Sequence, residues 1–299
     1  MQAAPAPLAL VAALASWVAV TPLPEPRTEV AAAPLDGEIV VVGGLLEGGG
    51  SSRRVDAYAP ASGRWRRLPD LPVGVDHAAA ASARGALYVV GGYGGDRRPL
   101  RAAFRFDGRR WLRLPPPPAA RAAAAAAAAA GGKLYVAGGR DEDGLARTAL
   151  VLDLATLRWS TVRGPTPREH LAAASARGLV YALAGRRAGI DTNLALLEAL
   201  DPRTGRWRRL PPVPHARGGA GAATIAGRVV SAGGEEPAGA IGSVYAFDLA
   251  ARRWTRLPDL PTPRHGLGVV ALAGRVWAVA GGPRPGLTVS GAVEALAVP

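Results

Sequence analysis

This chain has no cysteine. Disulfide staples, thiolate metal sites and cysteine nucleophiles are therefore excluded. Lysine is almost missing as well, since Lys133 is the only lysine among 36 basic residues. No apolar run reaches the roughly 20 residues that a helix needs to cross a bilayer, so no transmembrane segment is expected. Common catalytic patterns are also missing: there is no Ser-His-Asp spacing, no His-x-x-x-His pair and no nucleotide-binding glycine loop. Acidic residues number only 23, which leaves a formal net charge of +13 over 299 residues. Such a balance can attract polyanions. Here, however, many arginines occupy one repeated place beside a tryptophan: Arg64, Arg66 and Arg67; Arg109, Arg110 and Arg113; Arg206, Arg208 and Arg209; Arg252, Arg253 and Arg256. They are expected to lie on the outermost strand of each unit, where charge protects a sheet edge from aggregation.

What is present is a repeat. Paired small residues fall at Gly43-Gly44, Gly91-Gly92, Gly138-Gly139, Ala184-Gly185, Gly233-Gly234 and Gly281-Gly282. Their second members are 48, 47, 46, 49 and 48 residues apart. Tryptophans at 17, 65, 111, 159, 207 and 254 keep an independent spacing of 48, 46, 48, 48 and 47. A period of this length marks a propeller or array. Within each unit the apolar pattern has period two, and turn signals recur every 8 to 12 residues, which predicts short antiparallel strands. In the second unit these are a small-residue strand over 78–83, a buried strand over 86–90, a third over 101–106 and a fourth that holds Trp111. The alanine run Ala122 to Ala130 favours helix by intrinsic propensity, yet in register with the other units it must be an innermost strand.

The ends of the chain predict how the ring closes. The first unit begins with an unaccompanied fourth strand around Trp17, and the chain ends, over 288–298, on a third strand with no tryptophan after it. Pairing the two completes the last blade and removes the open end of the array. Residues 1–16 stand apart as a possible leader, with Ala13-Leu14-Ala15 in the form of a cleavage site. No basic residue precedes this stretch, and Pro5 and Pro7 interrupt it. Localisation is thus left open between export, to the periplasm or the exterior, and the cytoplasm.

Together, the glycine pairs, the turn Asp or Pro, the tryptophans and the pairs Pro26-Arg27, Pro167-Arg168 and Pro263-Arg264 resemble those of kelch-repeat proteins of the bacterial type, over residues 17–299. Arg121 and Arg217 stand in comparable places after Ala, and the second unit departs with Gly74-Val75-Asp76-His77. The resemblance implies an all-β fold: a six-bladed β-propeller with four antiparallel strands per blade, closed by the N-terminal strand.

In such a blade, the loop between the second and third strands shares a face with the connection to the next blade. Long polar loops on a rigid scaffold are the usual seat of binding. Ligand contacts are therefore expected from Arg27, Arg168, Arg217, Arg264, Asp96, Arg140, Asp191 and Asn193, although the Pro-Arg arginines serve more often as inter-strand anchors. Counting 14 residues back from the glycine pairs places Glu29, His77 and His170 in equivalent positions at the channel mouth. Two histidines and a carboxylate there are weak catalytic candidates that could shuttle protons or hold a metal. The favoured expectation is separate solvated groups around a wide opening, with no metal and no cofactor. His215 and His265 are not expected to add to them.

These observations favour a non-catalytic, monomeric scaffold that recognises a protein, peptide or glycan on the loop face. The enzymatic alternative, by resemblance, is a sialate mutarotase that uses Glu29, His77, His170 and Arg27 as acid–base groups. Galactose oxidase chemistry, which needs a Tyr cross-linked to Cys, is excluded by composition. Polyanion binding ranks last, and no specific nucleic-acid partner is expected.

Overall fold

Hairpins form here because each blade supplies a strand of small residues, a two-residue turn and a strand of buried β-branched and apolar residues. The turns are Asp36-Gly37, Arg84-Gly85, Gly131-Gly132, Arg177-Gly178, Ala226-Gly227 and Ala273-Gly274, and every one of these residues has positive φ. Two successive left-handed residues define the turn whose twist matches that of the flanking strands. The computed structural model describes residues 16–123 and 126–298. It contains six four-stranded antiparallel sheets arranged as blades of a propeller. The first blade runs Ala31–Leu35, Glu38–Val42, Val55–Ala59 and Arg64–Leu68. The possible leader lies outside the described residues.

The alanine run obeys tertiary context. Ala126–Ala130 is the first strand of the third blade and pairs with Lys133–Ala137, whose Leu134, Val136 and Ala137 are fully buried. Pairing and burial outweigh the modest helix preference of alanine.

The ring closes as the chain ends predict. Trp17–Ala19 pairs antiparallel with Val293–Ala297 and supplies the fourth strand of the sixth blade. Each repeat tryptophan then ties its blade to the preceding one. The indole Nε1 donates to a backbone carbonyl at 2.8–2.9 Å: Trp65 to Thr21, Trp111 to Pro69, Trp159 to Pro115, Trp207 to Arg163, Trp254 to Pro211 and Trp17 to Pro258. Their rings pack half-buried against the six inter-blade cores. The arginines beside them are exposed, as edge-strand charges should be.

A second set of stitches explains the small-residue pairs. The second member of each pair donates its N–H to a carbonyl at the entry of the next blade: Gly44 to Val75, Gly92 to Arg121, Gly139 to Arg168, Gly185 to Arg217, Gly234 to Arg264 and Gly281 to Arg27. These bonds correct the sixth pair, which is Ala280-Gly281 rather than Gly281-Gly282. They also show why glycine dominates the first position. A Cβ on Gly91 would stand 1.9 Å from the Arg121 carbonyl oxygen. In the fourth and sixth pairs, Ala184 and Ala280 take the same left-handed conformation.

Between the first strands runs an axial channel lined by small side chains such as Ala32, Ala80, Ala173 and Ala222, with cavities of about 250 and 120 Å³. One face carries the two-residue turns. The opposite face carries the long loops between second and third strands, over 43–54, 91–102, 138–147, 184–196, 233–243 and 280–292. Among the described residues no helix is long and apolar enough to cross a membrane.

Candidate functional site

At the loop-face end of the channel the chain turns inward once per blade. The turning residues are Glu29, His77, Ala123, His170, Gly219 and Gly266, all with φ between 49° and 67°. Backbone bonds link them around the axis: His77 N–H to Glu29 O, His170 to Ala123, Gly219 to His170, Gly266 to Gly219, and Val30 to Gly266 O. This inner ring brings together what the sequence reading held apart. Glu29, His77 and His170 offer ligand atoms that all lie within 4.8 Å of one another, and the three residues are only 6–7 % exposed. The expectation of separate solvated groups is therefore corrected: the left-handed turn aims each side chain at the axis. Gly266 gives Glu29 its space, because a Cβ there would meet the Glu29 Cδ and Oε1 at 2.6 Å.

The cluster extends beyond these three. His77 Nε2 lies 3.3 Å from Glu29 Oε2, and its Nδ1 lies 2.6 Å from Asp76 Oδ1. Asp76 also accepts from Ser51 Oγ at 2.6 Å and from Arg97 Nη1 at 2.9 Å, and the Arg97 guanidinium stacks over the Tyr93 ring. Arg186 donates to His170 Nε2 at 2.9 Å and to Glu235 Oε1 at 2.6 Å. His170 must then carry its proton on Nδ1, which stands 3.4 Å from Glu169 Oε1 without completing a hydrogen bond.

His265 belongs to the cluster too, against expectation. Its Nε2 faces the Arg284 carbonyl at 3.0 Å and its Nδ1 faces Glu29 Oε1 at 3.2 Å. Both partners are acceptors, so both ring nitrogens donate and His265 is an imidazolium. Burial opposes that charge, but the Glu29 bond and the Glu29 and Glu235 carboxylates outweigh burial and raise the His265 pKa. For Glu29, burial likewise opposes ionisation. The neighbouring His77 and the hydrogen bond from His265 outweigh it and hold the carboxyl well below the usual carboxylate range. Burial pushes His170 down, leaving it neutral.

Chemically, Glu29, His77 and His170 form a donor set suited to a divalent transition metal, with Asp76 orienting His77 from behind. The Arg186 guanidinium, 2.9 Å from His170 Nε2, already places a positive charge there. Most polar side chains of the cluster bond to another member, although His170 Nδ1, Arg186 Nε and Glu235 Oε2 complete no hydrogen bond, and Glu29, His77, His170 and His265 are buried. The arrangement acts as a hub that locks the blade entries together.

The arginines expected to contact a ligand are buried instead. Arg27, Arg168, Arg217 and Arg264 are each 0 % exposed, so that expectation is corrected in favour of the anchor role. Arg264 is representative. Its Nε donates to Ala280 O at 2.8 Å, Nη2 to Ala278 O at 2.9 Å, and Nη1 to Thr262 O at 2.7 Å and Glu294 Oε2 at 2.6 Å. Arg168 does the same with Ala184, Ala182, Thr166 and Glu198, and Arg27 pairs with Asp56. The acid sits at one register position of the third strand. That position is Tyr245 in the fifth blade, where the Arg217 guanidinium stacks at 5.3 Å and burial pushes its pKa down to about 10. In the third blade it is Leu150. There Arg121, fully buried, reaches Asp141 at 3.5 Å, and among the described residues its Nε and Nη2 find no hydrogen-bond partner. The second blade has replaced both members with the apolar pair Val75 and Phe104.

The remaining predicted contacts are dispersed. Asp96 is exposed and caps its own loop by accepting from Arg98 N. Asp191 is exposed within the short 3₁₀ turn Ile190–Thr192. Arg140 approaches Glu169 at 3.4 Å, and Asn193 donates to the Glu235 carbonyl at 2.7 Å. Sequence reasoning missed Asp76 and Glu169 and set His265 aside. A signal existed, because all three immediately precede an inward-turning residue.

Comparison with known proteins places residues 31–215 in the KLHDC2/KLHL20/DRC7 Kelch-repeats domain family and residues 216–261 in the Kelch motif family. The chain is 28% identical over 249 residues to Kelch-like protein terF of Aspergillus terreus, covering 75% of this chain and 54% of that protein. It is 30% identical over 238 residues to mouse Kelch-like protein 35, covering 76% of this chain and 39% of that protein. Against mouse Kelch-like protein 40 it is 30% identical over 174 residues, covering 56% of this chain and 28% of that protein. The chain thus spans about half, or less, of the length of these relatives.

Proposed function

We propose that this chain, which belongs to the kelch-repeat family, is a monomeric protein-binding scaffold that engages its partner on the loop face. The observation that carries this reading is the sorting of the connections. All six long loops gather on one face, over an inner backbone ring and a buried ionic hub, while the other face has the two-residue turns between first and second strands and the short connections between third and fourth strands. A rigid base under variable loops lowers the ordering cost of recognition. The contacts come from groups that reach solvent, namely Arg98, Arg187 and Arg284 and Leu287, which is 64% exposed. The sugar-opening alternative would need Glu29, His77 and His170 to reach a substrate, and their burial and mutual bonding weigh against it.

The test compares wild type with a variant carrying Arg98→Glu, Arg187→Glu, Arg284→Glu and Leu287→Asp, all at solvent-facing sites. A protein captured from an extract by wild type, lost by the variant and rebound when purified supports the reading. Equal capture by both refutes the loop-face assignment. Accelerated mutarotation of a free sialic acid, abolished by Glu29→Gln, would replace the scaffold with the enzyme.

A further inference from the structure

The largest concavity described lies away from the axis, on the rim between the third and fourth blades. It holds about 890 Å³ and is lined by Arg147, Arg163, Arg206, Arg209, Trp207 and the segment Gly164-Pro165-Thr166-Pro167. All four arginines are exposed, and none makes a side-chain ion pair among the described residues. Glu198, the one carboxylate in the wall, is already neutralised by Arg168 and bonded by Thr166.

Equivalent arginines are paired in two other blades, whereas Arg113 of the second blade, followed by Leu114-Pro115-Pro116, makes no ion pair among the described residues. In the first blade Arg67 meets Asp70 at 2.9 Å, and in the fifth Arg256 meets Asp259 at 2.7 Å. Both acids belong to the same Leu-Pro-Asp segment that follows the tryptophan strand. The fourth blade reads Leu210-Pro211-Pro212, so Arg209 keeps the arginine of the pattern and lacks its partner. At the fourth blade, the missing carboxylate leaves Arg209 free to face the groove.

We infer that this groove is a second docking surface, which takes an acidic, extended segment of a partner protein, its carboxylates facing Arg147, Arg163, Arg206 and Arg209 and its backbone lying along Trp207 and the proline wall. A cleft of one charge sign attracts ligands of the opposite sign. Planar guanidinium groups match carboxylates in bidentate fashion. The fixed φ of Pro165 and Pro167 keeps the wall in shape before binding. A nucleic acid fits less well. The groove is short, and Glu38, Asp70 and Asp259 neutralise the corresponding arginines of the first and fifth blades, interrupting any phosphate track. The inference stands apart from the loop-face reading, since the groove contains none of Arg98, Arg187, Arg284 and Leu287; Arg147, at the end of the 138–147 loop, is where the two surfaces adjoin.

The experiment measures binding of a fluorescein-labelled ten-residue poly-glutamate peptide by anisotropy near physiological salt. Four proteins are compared: wild type, Arg163→Glu/Arg206→Glu/Arg209→Glu, the charge-matched rim control Arg64→Glu/Arg109→Glu/Arg253→Glu, and Pro212→Asp. Wild type and control are expected to bind, the groove triple variant to lose at least about tenfold in affinity, and Pro212→Asp to lose a smaller factor by giving Arg209 its carboxylate. Pro212→Asp restores the sequence of two other blades at an exposed site, so it keeps the question answerable if the triple variant misfolds. Equal loss in the two triple variants means undirected attraction and overturns the inference. Absence of binding by wild type overturns it as well, as does tighter binding of a ten-nucleotide single strand through the same arginines. The loop-face variant should retain the peptide, so failure here leaves that reading untouched.

Discussion

Arg264→Met is the sharpest perturbation of the anchor system. The guanidinium is fully buried and satisfies the Ala278, Ala280 and Thr262 carbonyls together with the Glu294 carboxylate. Its removal leaves Glu294, 2 % exposed, with only the Thr262 hydroxyl at 2.8 Å. Breaking a buried pair by removing one partner costs about 3–5 kcal/mol, a large part of the roughly 5–15 kcal/mol that a domain possesses. The second blade suggests the rescue. It manages with Val75 and Phe104, so Arg264→Val/Glu294→Phe should recover at least about 2 kcal/mol of the loss, because no charge remains buried alone. Urea denaturation followed by tryptophan fluorescence gives both numbers. The pH dependence supplies a check of sign. Protonation removes the charge of a carboxylate stranded in the interior, so the Arg264→Met deficit should be smallest in acid. It should then grow as pH rises. If the double variant is as unstable as the sum of its singles, or if the deficit ignores pH, the stranded charge is not the cause.

Leu150→Glu gives Arg121 the acid found at the same position in the first, fourth and sixth blades. Its stability should stay within about 1 kcal/mol of wild type, whereas an unaccompanied buried charge costs several kcal/mol; calorimetry distinguishes the two. Gly266→Ala pushes a methyl into the Glu29 carboxylate at a left-handed position, and an expected loss of about 2–4 kcal/mol should appear in chemical denaturation. His265→Gln tests the hub. The raised His265 pKa contributes stability that is fully present below about pH 6.5 and is lost as pH rises through the folded value. The melting-temperature gap between wild type and variant should therefore be widest near pH 6 and narrow by pH 9, and a gap that widens instead would refute the imidazolium.

Architecture was legible in the chain because its markers are local and periodic. A tryptophan every 46 to 48 residues and a glycine pair in each loop answer to one requirement each, an indole bond to the neighbouring blade and a close carbonyl contact. The axial site was only half legible. Glu29, His77 and His170 could be aligned by spacing, but their convergence depends on the left-handed turn at six places, which spacing does not reveal. Arg27 and its counterparts misled for a related reason: whether an arginine faces solvent or an acid depends on a residue about 30 positions later, Asp56, Glu198 or Glu294. His265 was named but set aside, because it stands one residue before the inward turn.

The strand that completes the sixth blade is made before the rest of the ring and needs a partner made after it. Trp17–Ala19 must wait for Val293–Ala297, a delay of roughly 15–55 s at 5–20 residues per second. For that interval the nascent chain carries an unmated strand ahead of its first blade and an open flank on every newly finished blade. Partial rings are then free to trade strands with neighbouring chains. Growth conditions that slow elongation should therefore lower the yield of closed rings, and the bond from Trp17 to the Pro258 carbonyl is the latch that ends the exposure.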